Sequence, residues 1–310
     1  MSASRPSIVV SVPNKELATA LQPAPAGAEI LLWDMESPAP RPEIDIVVLP
    51  YMSRSIVLPL LAGVRTRLVQ SPSIGYEGIA DSLAPGHVFA NATSVHEAST
   101  AELAIALTLA SQRRLPTFIR AQDEHRWASE FSESLADRRV LLLGYGGLGK
   151  AVAARLNPFE VELTVVASRA RFEDGRLVHG AERLLELLPH AQIVIATLPG
   201  GDATHHIIDS EALAALPDRA LVVNVGRGSV IDTDALVTEL ERGRLRAALD
   251  VTDPEPLPGD HPLWGLPGAL IVPHVGGNSS AMVPRTARLI RGQIERMLAG
   301  EPPLNVVYES

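Results

Sequence analysis

The stretch Val140-Leu141-Leu142-Leu143-Gly144-Tyr145-Gly146-Gly147-Leu148-Gly149-Lys150-Ala151-Val152 decides the fold. Four apolar residues without polar alternation predict a strand covered on both faces, as in a parallel sheet. The spacing Gly-x-Gly-x-x-Gly follows at once, and a helical pattern over Lys150 to Leu156 comes after it. In that setting each glycine has its own task. Gly144 permits a tight turn, Gly146 lets the backbone approach a pyrophosphate, and Gly149 lets helix and strand pack closely. The free N–H groups and dipole of the helix start then hold phosphates. The stretch therefore predicts a dinucleotide-binding βα unit with Gly144, Gly146, Gly147, Leu148 and Gly149 at the cofactor.

The residue that selects the cofactor's ribose is expected about 20 positions further on, where an Asp or Glu favours NAD(H). Here the sequence reads Val165-Val166-Ala167-Ser168-Arg169-Ala170-Arg171, with no carboxylate. A ribose 2′-phosphate is a dianion that guanidinium groups bind bidentately. Ser168, Arg169 and Arg171 therefore favour NADP(H), and NAD(H) stays open.

Strand-like runs and helical periods alternate over most of the chain. Strands are expected near Ile8–Val12, Ile30–Trp33, Ile46–Leu49, Arg67–Gln70, Glu162–Val166, Ile193–Thr197, Leu221–Val225, Ala247–Asp250 and Leu270–Val272. Helices are expected at Thr100–Gln112, Ala181–Leu188, Ser210–Leu216, Thr233–Arg242 and Val283–Ala299. Repeated strand-then-helix order means a doubly wound α/β sheet. The proline-rich start, with Pro23, Pro25, Pro38, Pro40 and Pro42, reads as a smaller α/β unit of its own. The length of 310 residues suits two domains.

The bulk numbers exclude several classes. A net charge of −9 argues against nucleic acid, whose binders present basic faces. The absence of cysteine removes disulfides, thiolate metal sites and cysteine nucleophiles. No apolar run is long enough to span a bilayer, and the first residues lack a signal-type apolar core, so a cytoplasmic protein is expected. His205-His206 has no partner cluster at ligand spacing, so no metal is expected.

Three further stretches each place a functional side chain just past a strand, where open α/β sheets bind ligands. They are Asn224-Val225-Gly226-Arg227-Gly228, Leu249-Asp250-Val251 followed by Glu255-Pro256, and Pro273-His274-Val275-Gly276. Together with Thr197-Leu198-Pro199 and the glycine loop, these motifs resemble the D-isomer-specific 2-hydroxyacid dehydrogenase family, over most of the chain. The resemblance implies a Rossmann-type doubly wound coenzyme domain, residues 100–282, inserted in a smaller flavodoxin-like α/β substrate domain, residues 1–99 and 283–310. It also implies a homodimer, a domain hinge near Ala98–Ala101 and Ala281–Arg285, and hydride transfer between the cofactor and a small 2-oxo or D-2-hydroxy acid such as glyoxylate or hydroxypyruvate.

By the same resemblance Arg227 binds the substrate carboxylate and polarises the carbonyl, His274 is the acid/base, and Glu255 pairs with and tunes it. Thr197, Leu198, Pro199, Val225, Gly226, Asp250 and Gly276 line the cofactor, with Asp250 near the nicotinamide carboxamide. Ser73-Ile74-Gly75 matches a substrate-domain loop whose backbone N–H groups grip a carboxylate, and Tyr51, Met52 and Met282 are candidates for substrate preference. The chemistry supports these types independently: a guanidinium stabilises charge growing on a carbonyl oxygen, and an imidazolium delivers a proton. Glu255 argues against formate oxidation, where relatives carry Gln; phosphite oxidation is an alternative, as is a nucleotide-sensing protein like the family's corepressors.

Overall fold

The computed structural model describes residues 8–79 and 81–309. The chain divides into two compact units: the described residues of Met1–His96 with Ser279–Ser310, and Glu97–Asn278.

The first unit contains β1 (Ile8–Val12), α1 (Lys15–Ala20), β2 (Ala28–Leu32), β3 (Ile46–Val48), β4 (Leu68–Gln70) and β5 (Val88–Ala90). The returning chain adds a long helix (Met282–Leu298) and a last strand (Val306–Glu309). The sheet order, from one edge, is last strand, β5, β4, β3, β1, β2. The five early strands are parallel and follow the flavodoxin-like order; the last strand joins β5 antiparallel. Successive residues of β1 point to opposite faces, so Val10 and Val12 pack with Ile290 and Ile294 of the long helix, while Val9 packs with Trp33 and Phe89.

A buried amide pair fixes the long helix to this sheet. Gln293 Nε2 donates to Gln70 Oε1 at 2.8 Å and to the Leu304 carbonyl at 2.9 Å, and Gln293 Oε1 accepts from the Leu304 N–H at 2.8 Å. Gln70 in turn donates to the carbonyls of Ser71 and Asn91. Both side chains are almost wholly removed from solvent, and a buried polar group left unpaired is costly.

The second unit opens with α2 (Glu97–Gln112) and α3 (Leu115–Asp123). Then follow β6 (Arg139–Leu143), α4 (Gly147–Leu156), β7 (Glu162–Ala167), β8 (Arg171–Glu173), β9 (Arg176–Gly180), α5 (Leu184–Leu187) and β10 (Ile193–Ala196). The rest of the unit is α6 (Ser210–Ala215), β11 (Leu221–Asn224), α7 (Thr233–Glu241), β12 (Arg246–Leu249) and β13 (Ala269–Ile271); the long helix and last strand of the first unit are then α8 and β14. The sheet order is β13-β12-β11-β10-β6-β7-β9-β8, parallel except for the β8–β9 hairpin. Strand order reverses on either side of β6, so the crevice at its end is the topological switch point.

The apolar run of β6 behaves as its lack of alternation predicts. Leu141 and Leu143 pack in one layer with Leu188, Val194 and Val222; Val140 and Leu142 pack in the other with Ala104, Val152 and Ile195. Burial of each such side chain is worth about 1.5–3 kcal/mol. Ala101 and Ala104 of α2 sit in this second layer, where their small size lets the helix lie close.

Gln293→Ala should strand Gln70 Oε1 and the Leu304 N–H, lowering stability by about 1–3 kcal/mol per orphaned group. A urea titration would register this as a lower midpoint; an unchanged midpoint would show that the amide pair is dispensable.

Candidate active site and nucleotide site

Parallel pairing puts the C-terminal ends of β6, β10, β11, β12 and β13 on one edge, and the ladder runs one step beyond each strand. Gly144 N–H donates to the Val166 carbonyl (2.8 Å), Thr197 to Leu143 (2.8 Å), Val225 to Ala196 (3.1 Å), Asp250 to Asn224 (2.9 Å) and Val272 to Leu249 (2.9 Å). The glycine turn and the motifs at Thr197, Val225, Asp250 and His274 therefore each start from a hydrogen-bonded residue at the same edge.

The glycine turn fits a dinucleotide phosphate. Gly144 has φ +99°, and a Cβ there would lie 2.6 Å from Thr197 Oγ1. A Cβ on Gly149 would fall against the Gly144 carbonyl oxygen. Neighbouring protein atoms thus explain both glycines. Gly146, the N-cap of α4, is different: a Cβ there would meet nothing within 4 Å. Gly146 and Gly147 are exposed at the helix start, which leaves open space where a pyrophosphate would press against the N–H groups. Leu148 is partly buried against the core.

Thr197 has a second task that its place in the motif does not reveal. Its hydroxyl donates back to the Leu143 carbonyl at 2.9 Å and lies 3.3 Å from that of Gly144. It ties the end of β10 to the glycine turn. Leu198 is partly buried and Pro199 exposed; the Pro199 carbonyl accepts from Thr204 Oγ1 at 2.7 Å.

Past β7, Ser168 and Arg169 are exposed. Arg171 is not a free loop charge: it opens β8, and its guanidinium reaches Glu173 and the Tyr145 carbonyl. The β8–β9 hairpin itself closes through Asp174 and Gly175, both with positive φ, the backbone that an Asp-Gly hairpin turn adopts.

Two of the catalytic candidates meet. His274 Nδ1 lies 2.7 Å from Glu255 Oε1, both side chains 27% exposed. A carboxylate only accepts, so Nδ1 carries the proton and Nε2 is left for a ligand. Arg227 follows β11, its Nη1 donating to the Gly226 carbonyl at 2.9 Å. The buried side chain of Asn224 builds this turn: Oδ1 accepts from the Gly226 N–H (3.0 Å), and Nδ2 donates to the Arg227 carbonyl (2.8 Å). Gly226 is needed because a Cβ would strike the Leu198 carbonyl. Asn224 was legible only as part of a motif; its role as a turn organiser needed coordinates.

Asp250, 3% exposed, holds the histidine loop. Its carbonyl accepts from the His274 N–H (2.7 Å), its Oδ1 from Val275 (2.7 Å) and its Oδ2 from Gly276 (3.0 Å). Burial pushes its carboxyl above the usual carboxylate range, and the two N–H bonds from Val275 and Gly276 oppose that. His274 takes a left-handed φ of +50°, uncommon outside glycine and tolerated where surroundings enforce it. Gly276 cannot carry a side chain, since its Cβ would lie 2.7 Å from Asp250 Oδ2 and 3.0 Å from Thr100 Cγ2.

In the first unit, Ser73 spends its N–H on Ser71 Oγ (3.0 Å), and the Ile74 carbonyl accepts from Asn91 Nδ2 (2.8 Å), which fixes the turn leading into Gly75. His96 is buried, with Nε2 2.6 Å from the Pro72 carbonyl and its ring 5.5 Å from that of Tyr51. Met52 is exposed. Elsewhere, His205 and His206 stack at 3.9 Å, and among the described residues no group of three potential metal ligands occurs. No helix among them is long and apolar enough to cross a membrane. Trp264 is half exposed, with its indole N–H donated to the Pro258 carbonyl, while Leu263 beside it fills the core.

Comparison with known proteins agrees with this geometry. Residues 105–276 match the family model described as D-isomer specific 2-hydroxyacid dehydrogenase, NAD binding domain. The human glyoxylate reductase/hydroxypyruvate reductase is 29% identical over 89% of this chain and 90% of its own length. A D-isomer specific 2-hydroxyacid dehydrogenase from Xanthobacter autotrophicus, solved with NADPH, is 29% identical with a TM-score of 0.80, covering 97% of this chain and 98% of that one. The NADPH-dependent glyoxylate/hydroxypyruvate reductase of Sinorhizobium meliloti, in complex with NADP and malonate, is 26% identical with a TM-score of 0.79, covering 99% of this chain and 98% of that one. With its glycine turn at the switch point and Arg227, Glu255 and His274 carried on one edge of the same sheet, the chain belongs to the D-isomer specific 2-hydroxyacid dehydrogenase family of NAD(P)-dependent oxidoreductases.

Proposed function

We propose that this enzyme reduces a small 2-oxo acid of the glyoxylate or hydroxypyruvate type to the D-2-hydroxy acid, with NADP(H) preferred over NAD(H). The observation that carries the reading is the 2.7 Å contact between His274 and Glu255. It sits on the sheet edge that bears the glycine turn and Arg227. When bound, the nicotinamide supplies the hydride. Arg227 binds and polarises the substrate: its guanidinium, anchored on the Gly226 carbonyl, meets negative charge as it grows on the substrate oxygen. His274 acts as the imidazolium, with both ring nitrogens protonated: Nε2 delivers its proton to the substrate oxygen, leaving neutral imidazole, while Glu255 accepts from Nδ1–H and orients the ring.

Gly144, Gly146, Gly147, Leu148 and Gly149 take the pyrophosphate side of the cofactor. Ser168 and Arg169 take the ribose phosphate. Thr197–Pro199, Val225, Gly226, Asp250 and Gly276 frame the rest. In the first unit, the substrate domain in this reading, we assign carboxylate binding to the turn Ser73-Ile74-Gly75. The relatives named above support the substrate class and the NADP(H) preference by their own names and ligands. A homodimer fits as well: Trp127 and Phe131 are almost fully exposed, and Leu115 and Ile119 of α3 are exposed too, large apolar side chains that a second copy would cover.

Following nicotinamide absorbance with glyoxylate, hydroxypyruvate, pyruvate and phenylpyruvate should show turnover that prefers NADPH to NADH. His274→Ala should lower kcat by about 100-fold or more while leaving NADPH affinity near wild type. Tight NADPH binding without turnover of any of these acids would replace this reading with a nucleotide-sensing role.

Asp250→Asn turns one acceptor into a donor facing the N–H of Val275 or Gly276. Stability should fall by about 1–3 kcal/mol, and kcat should fall with it because His274 loses its support. Wild-type kcat and melting temperature in this variant would show that the histidine loop is held by other means.

A further inference from the structure

The β8–β9 hairpin is zipped to the glycine turn by an ionic ring that the reaction does not call for. Arg171 is its hub. Nε donates to Glu173 Oε2 at 2.7 Å, Nη2 lies 3.3 Å from the Tyr145 carbonyl and Nη1 3.3 Å from the Arg169 carbonyl. The other oxygen of Glu173 accepts from Lys150 Nζ at 2.8 Å, and Lys150, on the first turns of α4, also lies 3.3 Å from Asp174. The ring closes around the buried side chain of Tyr145, with Lys150 Nζ 5.7 Å and Arg171 Cζ 6.0 Å from the ring centroid.

Each of the three nitrogens of Arg171 thus already faces a protein acceptor, and two of those acceptors are backbone carbonyls of the segments expected to hold the cofactor. Tyr145 lies in the pyrophosphate turn, and Arg169 in the ribose turn. We infer that Arg171 is a positioning residue that braces these two turns at a fixed spacing, with Glu173 and Lys150 holding the brace, and that recognition of a ribose 2′-phosphate rests on Ser168 and Arg169. This rests on the nucleotide reading given above and deepens it: of the two arginines after β7, only one discriminates NADP(H) from NAD(H).

The two roles differ in what they predict. A phosphate ligand affects NADPH alone, and Lys substitutes for it in part because its charge remains. A brace affects both cofactors alike, and Lys fails because it lacks the planar fork that spans several acceptors. Dissociation constants for NADPH and NADH, read from the quenching of protein fluorescence, separate them without any turnover. Arg171→Ala and Arg171→Lys should each weaken both dinucleotides by about two- to fivefold, the scale of exposed ion pairs. The NADPH/NADH affinity ratio should stay near wild type. Glu173→Gln, which leaves Arg171 in place, should shift both constants the same way by less, so the test stands even where Arg171→Ala disturbs the hairpin. Arg169→Ala should weaken NADPH alone, by about tenfold or more, as for loss of a charged hydrogen bond.

Loss of NADPH affinity alone in Arg171→Ala, restored in Arg171→Lys, would overturn the inference, and so would unchanged affinity for both cofactors in all three hairpin variants. An Arg169→Ala enzyme with an unaltered cofactor ratio would refute the ribose reading instead, a result separable from the behaviour of Arg171.

Discussion

The parallel ladder of the second unit is the constraint from which the site follows. Adjacent strands are locked by slanted backbone bonds, and those bonds continue one residue past each strand, at Gly144, Thr197, Val225, Asp250 and Val272. Five loops are thereby launched from one edge with their first residue already fixed. Strand order reverses beside β6, which opens the edge there to a ligand. Side chains on such loops need little further ordering, and that is the condition under which electrostatic stabilisation of a reacting group is effective.

The loops are then cross-braced by a few buried polar groups. Thr197 ties β10 to the glycine turn, Asn224 folds the turn that carries Arg227, and Asp250 collects the N–H groups of three successive residues, His274, Val275 and Gly276. The buried charge of Asp250 is tolerable because both carboxylate oxygens are hydrogen-bonded. Glycines at 226 and 276 are required by backbone or side-chain atoms opposite them. Gly146 is the exception: its Cβ position is open, and no neighbouring protein atom demands a glycine there.

Much of this was legible in the sequence. The unbroken apolar run of β6 and the glycine spacing after it gave the sheet type and the nucleotide turn, because hydrophobic periodicity and positive-φ positions are local properties. Arg227 and His274 follow β11 and β13 closely, as the sequence suggested, but the pairing of His274 with Glu255, six residues beyond β12, is a long-range contact that position after a strand does not encode. Other features were not read. The Asp-Gly turn signature at Asp174-Gly175 was passed over, so Arg171, grouped with Ser168 and Arg169 as a ribose-phosphate candidate, was not recognised as the start of a strand bonded to Glu173. The antiparallel pairing of β14 with β5, and the contact between Gln70 and Gln293 across 223 positions, are long-range facts that no local pattern encodes. Asp250 was placed at the cofactor by resemblance; its bonds to the histidine loop emerge only from the coordinates.

The most direct test is to follow the hydrogen itself, using NADPH deuterated at the transferring carbon with hydroxypyruvate and analysing the product by mass and chirality. The account predicts D-glycerate carrying one deuterium at C2, formed at a rate that Arg227→Ala abolishes. Product of the L configuration, or product free of deuterium, would contradict it.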